Sequence, residues 1–177
     1  MPTTTIEERL AEIGRQIDGL EAKARTGGDE ANSRIRHQLG ALRQQEASAR
    51  AAAQEGAEAF DERFEQFEAR FHVAESSLAA DLAENRKTFA DAVESELHTW
   101  DTYFERLQAQ TAMRAASARA QSEAAISDLR RRRNIVAEQL ADARTASGEA
   151  WDEQKQRIAV ARDDLERMAD EVSAKFK

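Results

Sequence analysis

No cysteine occurs in the 177-residue sequence, which excludes disulfides and thiolate metal sites. Proline appears once, as Pro2, and glycine seven times, too little punctuation for the closely spaced turns of a β-protein. Leu, Ile, Val and Phe together number 30, a small apolar supply for a compact globule of this length. No apolar run reaches membrane-spanning length, and residues 1–26 lack the basic start and apolar stretch of a secretory signal. The expected location is therefore cytoplasmic.

What is present is helical material. Ala, Glu, Arg and Gln dominate, and their side chains lose little freedom in a helix. The predicted class is all-α: an elongated helical bundle or coiled coil of long amphipathic helices, where a narrow apolar seam is enough. A single elongated domain over 1–177 is expected, with two degenerate repeats, 6–91 and 92–177, as a subdivision. Gly27 and Gly28 suit a helix end and Asp29 a following N-cap, while Ser147 and Gly148 mark a second break. Gly40 and Gly56 are isolated; each costs about 1 kcal/mol relative to Ala in a helix without having to end it. The predicted helices are 4–26, 29–55, 57–145 and 149–175, the third open to one interruption.

The apolar period changes along the chain. Ile6, Leu10, Ile13, Ile17, Leu20 and Ala24 alternate by four and three, a heptad pattern. From Phe60 onward the spacing is eleven: Phe60, Phe71, Leu82, Val93 and Phe104 form one series, and Phe67, Leu78, Phe89 and Trp100 a second. Eleven residues in three turns is close to an unstrained helix, so such a seam follows its partner with little or right-handed supercoil. Phe64 and Leu107 extend the stripe, and Ile126, Leu129, Val136 and Leu140 return to heptad spacing with Arg133 in the intervening seam position. These residues are the candidate interaction seam. Their bland reading is packing against other helices; the sharper one is a lipid surface, which eleven-residue amphipathic repeats also suit. Segment 58–101 carries 12 acidic and 4 basic residues, so an anionic bilayer would repel it and lipid is not favoured.

A shift of 87 residues lays Leu10 on Leu97, Ile13 on Trp100, Ile17 on Phe104, Leu20 on Leu107 and Leu42 on Leu129. After a four-residue insertion, the run from Glu58 to Glu62 falls on that from Glu149 to Glu153. In the second half, LHTWDTYFERLQAQ (97–110), ISDLRRRR (126–133) and ASGEAWDEQKQRI (146–158) resemble small bacterial coiled-coil proteins of the stress-response or apolipoprotein-like type. The likeness covers about residues 92–177 and rests on Trp-Asp pairs at 100–101 and 151–152, the Leu-Arg-rich middle and the Ser-Gly-x-Ala-Trp turn. It implies a helical protein without enzyme activity or cofactor. The additional N-terminal half departs from the short form of that family.

Candidate chemistry is sparse. A carboxylate-bridged metal site in a helical bundle needs Glu-x-x-His on two helices, and none of His37, His72 and His98 has a Glu three residues earlier. Glu68 and Glu94 precede His72 and His98 by four, the spacing of a surface pair. No phosphate loop or nucleophile motif is present, so no catalytic, cofactor or metal residue is assigned. The run Arg130–Arg133 invites a nucleic-acid reading, but consecutive positions spread around a helix, and the net charge of −8 opposes phosphate binding. No nucleic-acid partner is expected.

Charge also bears on partners. Segment 102–147 has 8 basic and 5 acidic residues, against the acidic 58–101. With no Gly or Pro between them, the favoured arrangement is an antiparallel homodimer of long helices crossing near Leu107, with Arg130–Arg133 opposite Asp81 and Glu84; another helical protein could take the second copy's place. Such a dimer should weaken with salt. The competing arrangement is a hairpin with an unmarked turn near Gln110 to Ser117. In function the expectation is a non-enzymatic self-associating or protein-interaction protein, stress-related by resemblance. The alternative is a helical protein coating lipid or client surfaces, and a conditionally disordered desiccation-type chain stands third.

Overall fold

The computed structural model describes residues 5–27, 29–113 and 115–175, with the backbone alone at 29–32. Among these residues there are six helices and no strand: α1 (Ile6–Ala24), α2 (Asp29–Glu55), α3 (Ala57–Asp81), α4 (Arg86–Ala112), α5 (Ala116–Thr145) and α6 (Gly148–Lys175). The chain divides into two compact units, Met1–Leu82 and Ala83–Lys177, each a set of three helices. Pro2, Gly28, the expected first helical residue at 4 and the capping side chain of Asp29 lie outside the described residues.

Unit 1 is an up-down-up bundle. Thr5 caps α1 through a reciprocal pair: the Glu8 N–H donates to the Thr5 hydroxyl at 3.2 Å, and the Thr5 N–H donates to the Glu8 carboxylate at 2.7 Å. The heptad stripe of α1 points inward, with Ile13, Ile17 and Leu20 almost fully buried. It meets Ile35, Leu39 and Leu42 of α2, and Phe60, Phe64, Phe67, Phe71 and Leu78 of α3. Burying each such side chain stabilises the bundle by roughly 1.5–3 kcal/mol. The parallel helices α1 and α3 are tied at the edge by Arg9–Asp61 and by Lys23–Glu75 at 3.2 Å. The Arg9 guanidinium also lies 3.9 Å from the Phe64 ring centroid, a cation–π contact. Between α2 and α3 the chain turns on one residue, Gly56, whose φ of 141° only glycine adopts without strain.

Unit 2 repeats this order with the bulk redistributed. Its buried aromatic residues, Phe89, Trp100, Tyr103 and Phe104, sit on the first helix, α4. They face Ile126, Leu129, Val136 and Leu140 of α5 and Ile158, Leu165, Ala169 and Val172 of α6. Asn85 caps α4, accepting from the Thr88 N–H at 3.0 Å, with the Thr88 hydroxyl accepting from the Asn85 N–H at 3.3 Å. The Arg119 guanidinium reaches back from α5 to the Ala112 carbonyl at 2.8 Å, satisfying an orphan acceptor at the end of α4.

The expected helix 57–145 is corrected. It is three helices, interrupted at 82–85 and again at 113–115. The eleven-residue register runs across the first interruption because each helix keeps its own buried face in a similar phase, not because one helix continues. The second interruption is the unmarked turn, so the acidic and Arg-rich segments meet as the α4–α5 hairpin of one chain. Within unit 2, Arg130, Arg132 and Arg133 lie beside Gln108, Asp164 and Asp101. Leu107 is a core residue near the end of α4, not the centre of a long crossing.

Residue 91, the last of the first sequence repeat, falls within α4, and the units join at 82–83. Helices α2 and α5 start 87 residues apart, and α3 and α6 start 91 apart. The four extra residues are accounted for by α5, three residues longer than α2, and by a link of two residues where unit 1 has Gly56 alone.

Candidate functional site

The candidate seam separates into two interiors. Phe60, Phe64, Phe67, Phe71 and Leu78 are buried in unit 1, with Leu82 half-buried against the same core. Phe89, Val93, Trp100, Phe104, Leu107, Ile126, Leu129, Val136 and Leu140 are buried in unit 2. None of these buried residues is presented to an external partner in this conformation. Arg133 is half-buried, and it grips Asp101 with two parallel bonds, Nε to Oδ1 at 2.9 Å and Nη2 to Oδ2 at 2.7 Å.

The other three arginines of the run point elsewhere, as their helical spacing requires. Arg130 donates to Gln108 Oε1 at 2.7 Å, Arg131 pairs with Asp128 of its own helix at 3.2 Å, and Arg132 approaches Asp164 of α6 at 3.4 Å. Higher on the hairpin Arg144 bonds Glu94 at 2.6 Å. Glu94 is thus held by an arginine of α5 although His98 lies one turn away. His37, His72 and His98 are all exposed.

The Trp-Asp motifs are structural joints. Trp100 is a core residue stacked against Phe104, while Asp101 beside it anchors Arg133. Trp151, half-buried at the start of α6, meets Phe89 edge-on at 5.6 Å between ring centroids. Arg86 lies over the Trp151 ring at 4.9 Å and donates to the Ala146 carbonyl at 2.9 Å, clamping the α5–α6 turn to the start of α4.

A buried ion pair lies in the interior of unit 2, beside a further buried carboxylate, Glu166. Arg162 Nε of α6 donates to Glu96 Oε2 of α4 at 2.7 Å, with the two side chains only 2% and 4% exposed. Further along the same helix pair, the Tyr103 and Ser173 hydroxyls share a hydrogen bond. The Arg162–Glu96 pair joins α4 to α6 at a single level.

The exposed feature that stands out is a groove of about 490 Å³ on the outer side of α5 and α6. Ile135 of α5 and Val160 of α6 are the exposed aliphatic residues of its lining, 43% and 64% exposed. Ala161, Gln139 and Gln156 continue the lining, and Arg132, Arg157, Glu153 and Asp164 form the rim. Rim charges are paired along the protein surface: Arg157 bonds Glu153 at 2.6 Å, and Arg132 faces Asp164. On α6 the lining residues 153, 157, 160 and 164 step by four, three and four, a second stripe beside the core stripe.

Sequence reasoning did not select Ile135 or Val160. The signal was available: Ile135 precedes the seam residue Val136, and Val160 is out of phase with the stripe of Ile158, Leu165 and Val172. An apolar residue off the core stripe marks a second surface. Comparison with protein-family models, with curated proteins and with solved structures finds no match to this chain.

Proposed function

We propose that this is a non-enzymatic helical interaction protein, acting through self-association or through binding another helical protein. The observation that carries this reading is the groove of α5 and α6, where the exposed aliphatic residues Ile135 and Val160 lie together among charged side chains. A strip between two antiparallel helices has the shape that accepts a further helix, the commonest way of extending a bundle. The arginine run supports a reading without nucleic acid, since each of its four guanidinium groups has a partner in the chain. The resemblance of residues 92–177 supplies stress response as the cellular setting we propose, and the cytoplasm as its place. No helix among the described residues is long and apolar enough to cross a membrane.

The alternative, a coat on lipid or client surfaces, needs the aromatic side chains to leave their cores. Phe60, Phe67, Trp100 and Phe104 are each at most 1% exposed, so lipid binding would require opening both bundles. Circular dichroism and flotation with anionic and zwitterionic liposomes test the reading. The expected result is strong helicity and a cooperative melt, both unchanged by lipid, with no protein in the floated fraction. Flotation accompanied by loss of the cooperative melt would overturn the interaction reading in favour of the coat.

A further inference from the structure

We infer that the partner of the α5–α6 groove is the same groove of a second copy of this chain, related by a two-fold axis. This rests on the interaction reading above and names the partner. Three observations carry it.

The first is the charge balance of the rim. Arg132 and Arg157 stand with Glu153 and Asp164, two of each sign, and the pairs are closed within the chain. A strongly acidic or basic partner helix would find two of these four groups repulsive, whereas a second copy brings an equally balanced rim. The chain carries a net charge of −8, so copies repel one another over most of their surface, and a locally neutral patch is where they can meet.

The second is placement. Ile135 is on α5 and Val160 on α6, either side of the groove. A two-fold axis through its middle sets Ile135 of each chain against Val160 of the other, so both exposed aliphatic side chains gain an apolar neighbour. This self-complementarity is the condition for a closed dimer. The third is room. The groove takes up only the middle of α5 and α6, and these helices of 30 and 28 residues run on past both its ends, so a second copy has a two-helix face about 42 Å long on which to reach the roughly 800 Å² that each partner contributes to a standard interface.

Sedimentation velocity on the full chain over a concentration series is the test, with cross-linking as the positional readout. The expected result is a reversible dimer, weakened at least tenfold by Val160→Glu or Ile135→Glu, with the far-UV spectrum of each variant unchanged, and its melt unchanged at concentrations where the parent is monomeric, because both positions are exposed. Added salt should strengthen the dimer by screening the net repulsion. The cysteine-free background allows Ile135→Cys chains to be mixed with Val160→Cys chains. Their heterodimeric disulfide should form faster than either homodimeric one. A chain that remains monomeric at every concentration overturns the two-fold partner while leaving the lipid result, and the reading it supports, intact. A dimer indifferent to both Glu variants overturns the groove as its site although self-association stands.

Discussion

Removing Arg162 should be among the most damaging single changes to unit 2, and the size of the effect follows from the surroundings of Glu96. At 2.7 Å the Arg162–Glu96 pair has a Coulomb attraction of roughly 6 kcal/mol at an effective dielectric of about 20. Taking both groups out of water costs several kcal/mol per ion, so the intact pair contributes little net stability. Arg162→Met forfeits the attraction and leaves a buried carboxylate that has already lost its water, for a loss of about 4 kcal/mol, within the range for broken buried pairs. Replacing both partners, Glu96→Leu with Arg162→Met, removes the desolvation cost of the pair as well and should recover most of that loss. Urea unfolding followed by tryptophan fluorescence suits the question, because Trp100 and Trp151, the two tryptophans of the chain, both lie in unit 2, and Trp100 is one turn from Glu96. A double variant as unstable as the single would refute the argument, since it would mean that the two groups are not energetically coupled. So would a loss below about 1 kcal/mol for Arg162→Met, the size of a solvated surface pair.

Phe89→Ala and Phe71→Ala should each lower stability by about 3 kcal/mol in chemical denaturation, while Glu68→Ala stays close to the parent; Phe variants that unfold like the parent would mean the aromatic faces are not packed. Gly56→Ala should destabilise by about 1–3 kcal/mol through its φ of 141°, although no atom lies within 4 Å of the added methyl group. Gly40→Ala, inside α2 and equally unobstructed, should stabilise by about 1 kcal/mol, and thermal melts of the pair should move in opposite directions. The Glu21 carboxylate, bonded first by Arg25 and also by Arg43, is held below its ordinary value of 4.5. A lowered folded value means that its contribution to stability is present above the ordinary carboxylate range and disappears as pH falls through the folded value. NMR titration should show Glu21 titrating below typical surface carboxylates and returning toward them in Arg25→Ala.

The helical class, the ends of α2, the C-terminus of α5 and most of α6 were determined by the sequence itself. These depend on local chemistry: good helix formers throughout, Gly56 and Gly148 at two boundaries, and apolar residues at helical spacing. Two capping pairs, Thr5 with Glu8 and Asn85 with Thr88, were equally present in the sequence, and the second marks the break that ends the supposed long helix. The turn at 113–115 is different. Ala115 makes no side-chain cap, and the flanking residues are helix formers, so nothing local opposes a continuous helix there. Tertiary packing decided it. Folding α5 back on α4 buries Trp100, Phe104, Ile126 and Leu129 together and brings Arg133 to Asp101, which an isolated extended helix cannot do. An apolar period specifies which face of a helix is buried and at what pitch, but the same face is satisfied by a neighbour in its own chain or in another. For the aromatic stripe that neighbour is the chain itself, because closing the short links between successive helices is cheaper than bringing together a second molecule. With those faces used internally, the apolar surface left along α5 and α6 is a small strip off the main period, at Ile135 and Val160, visible only once the core stripe has been placed.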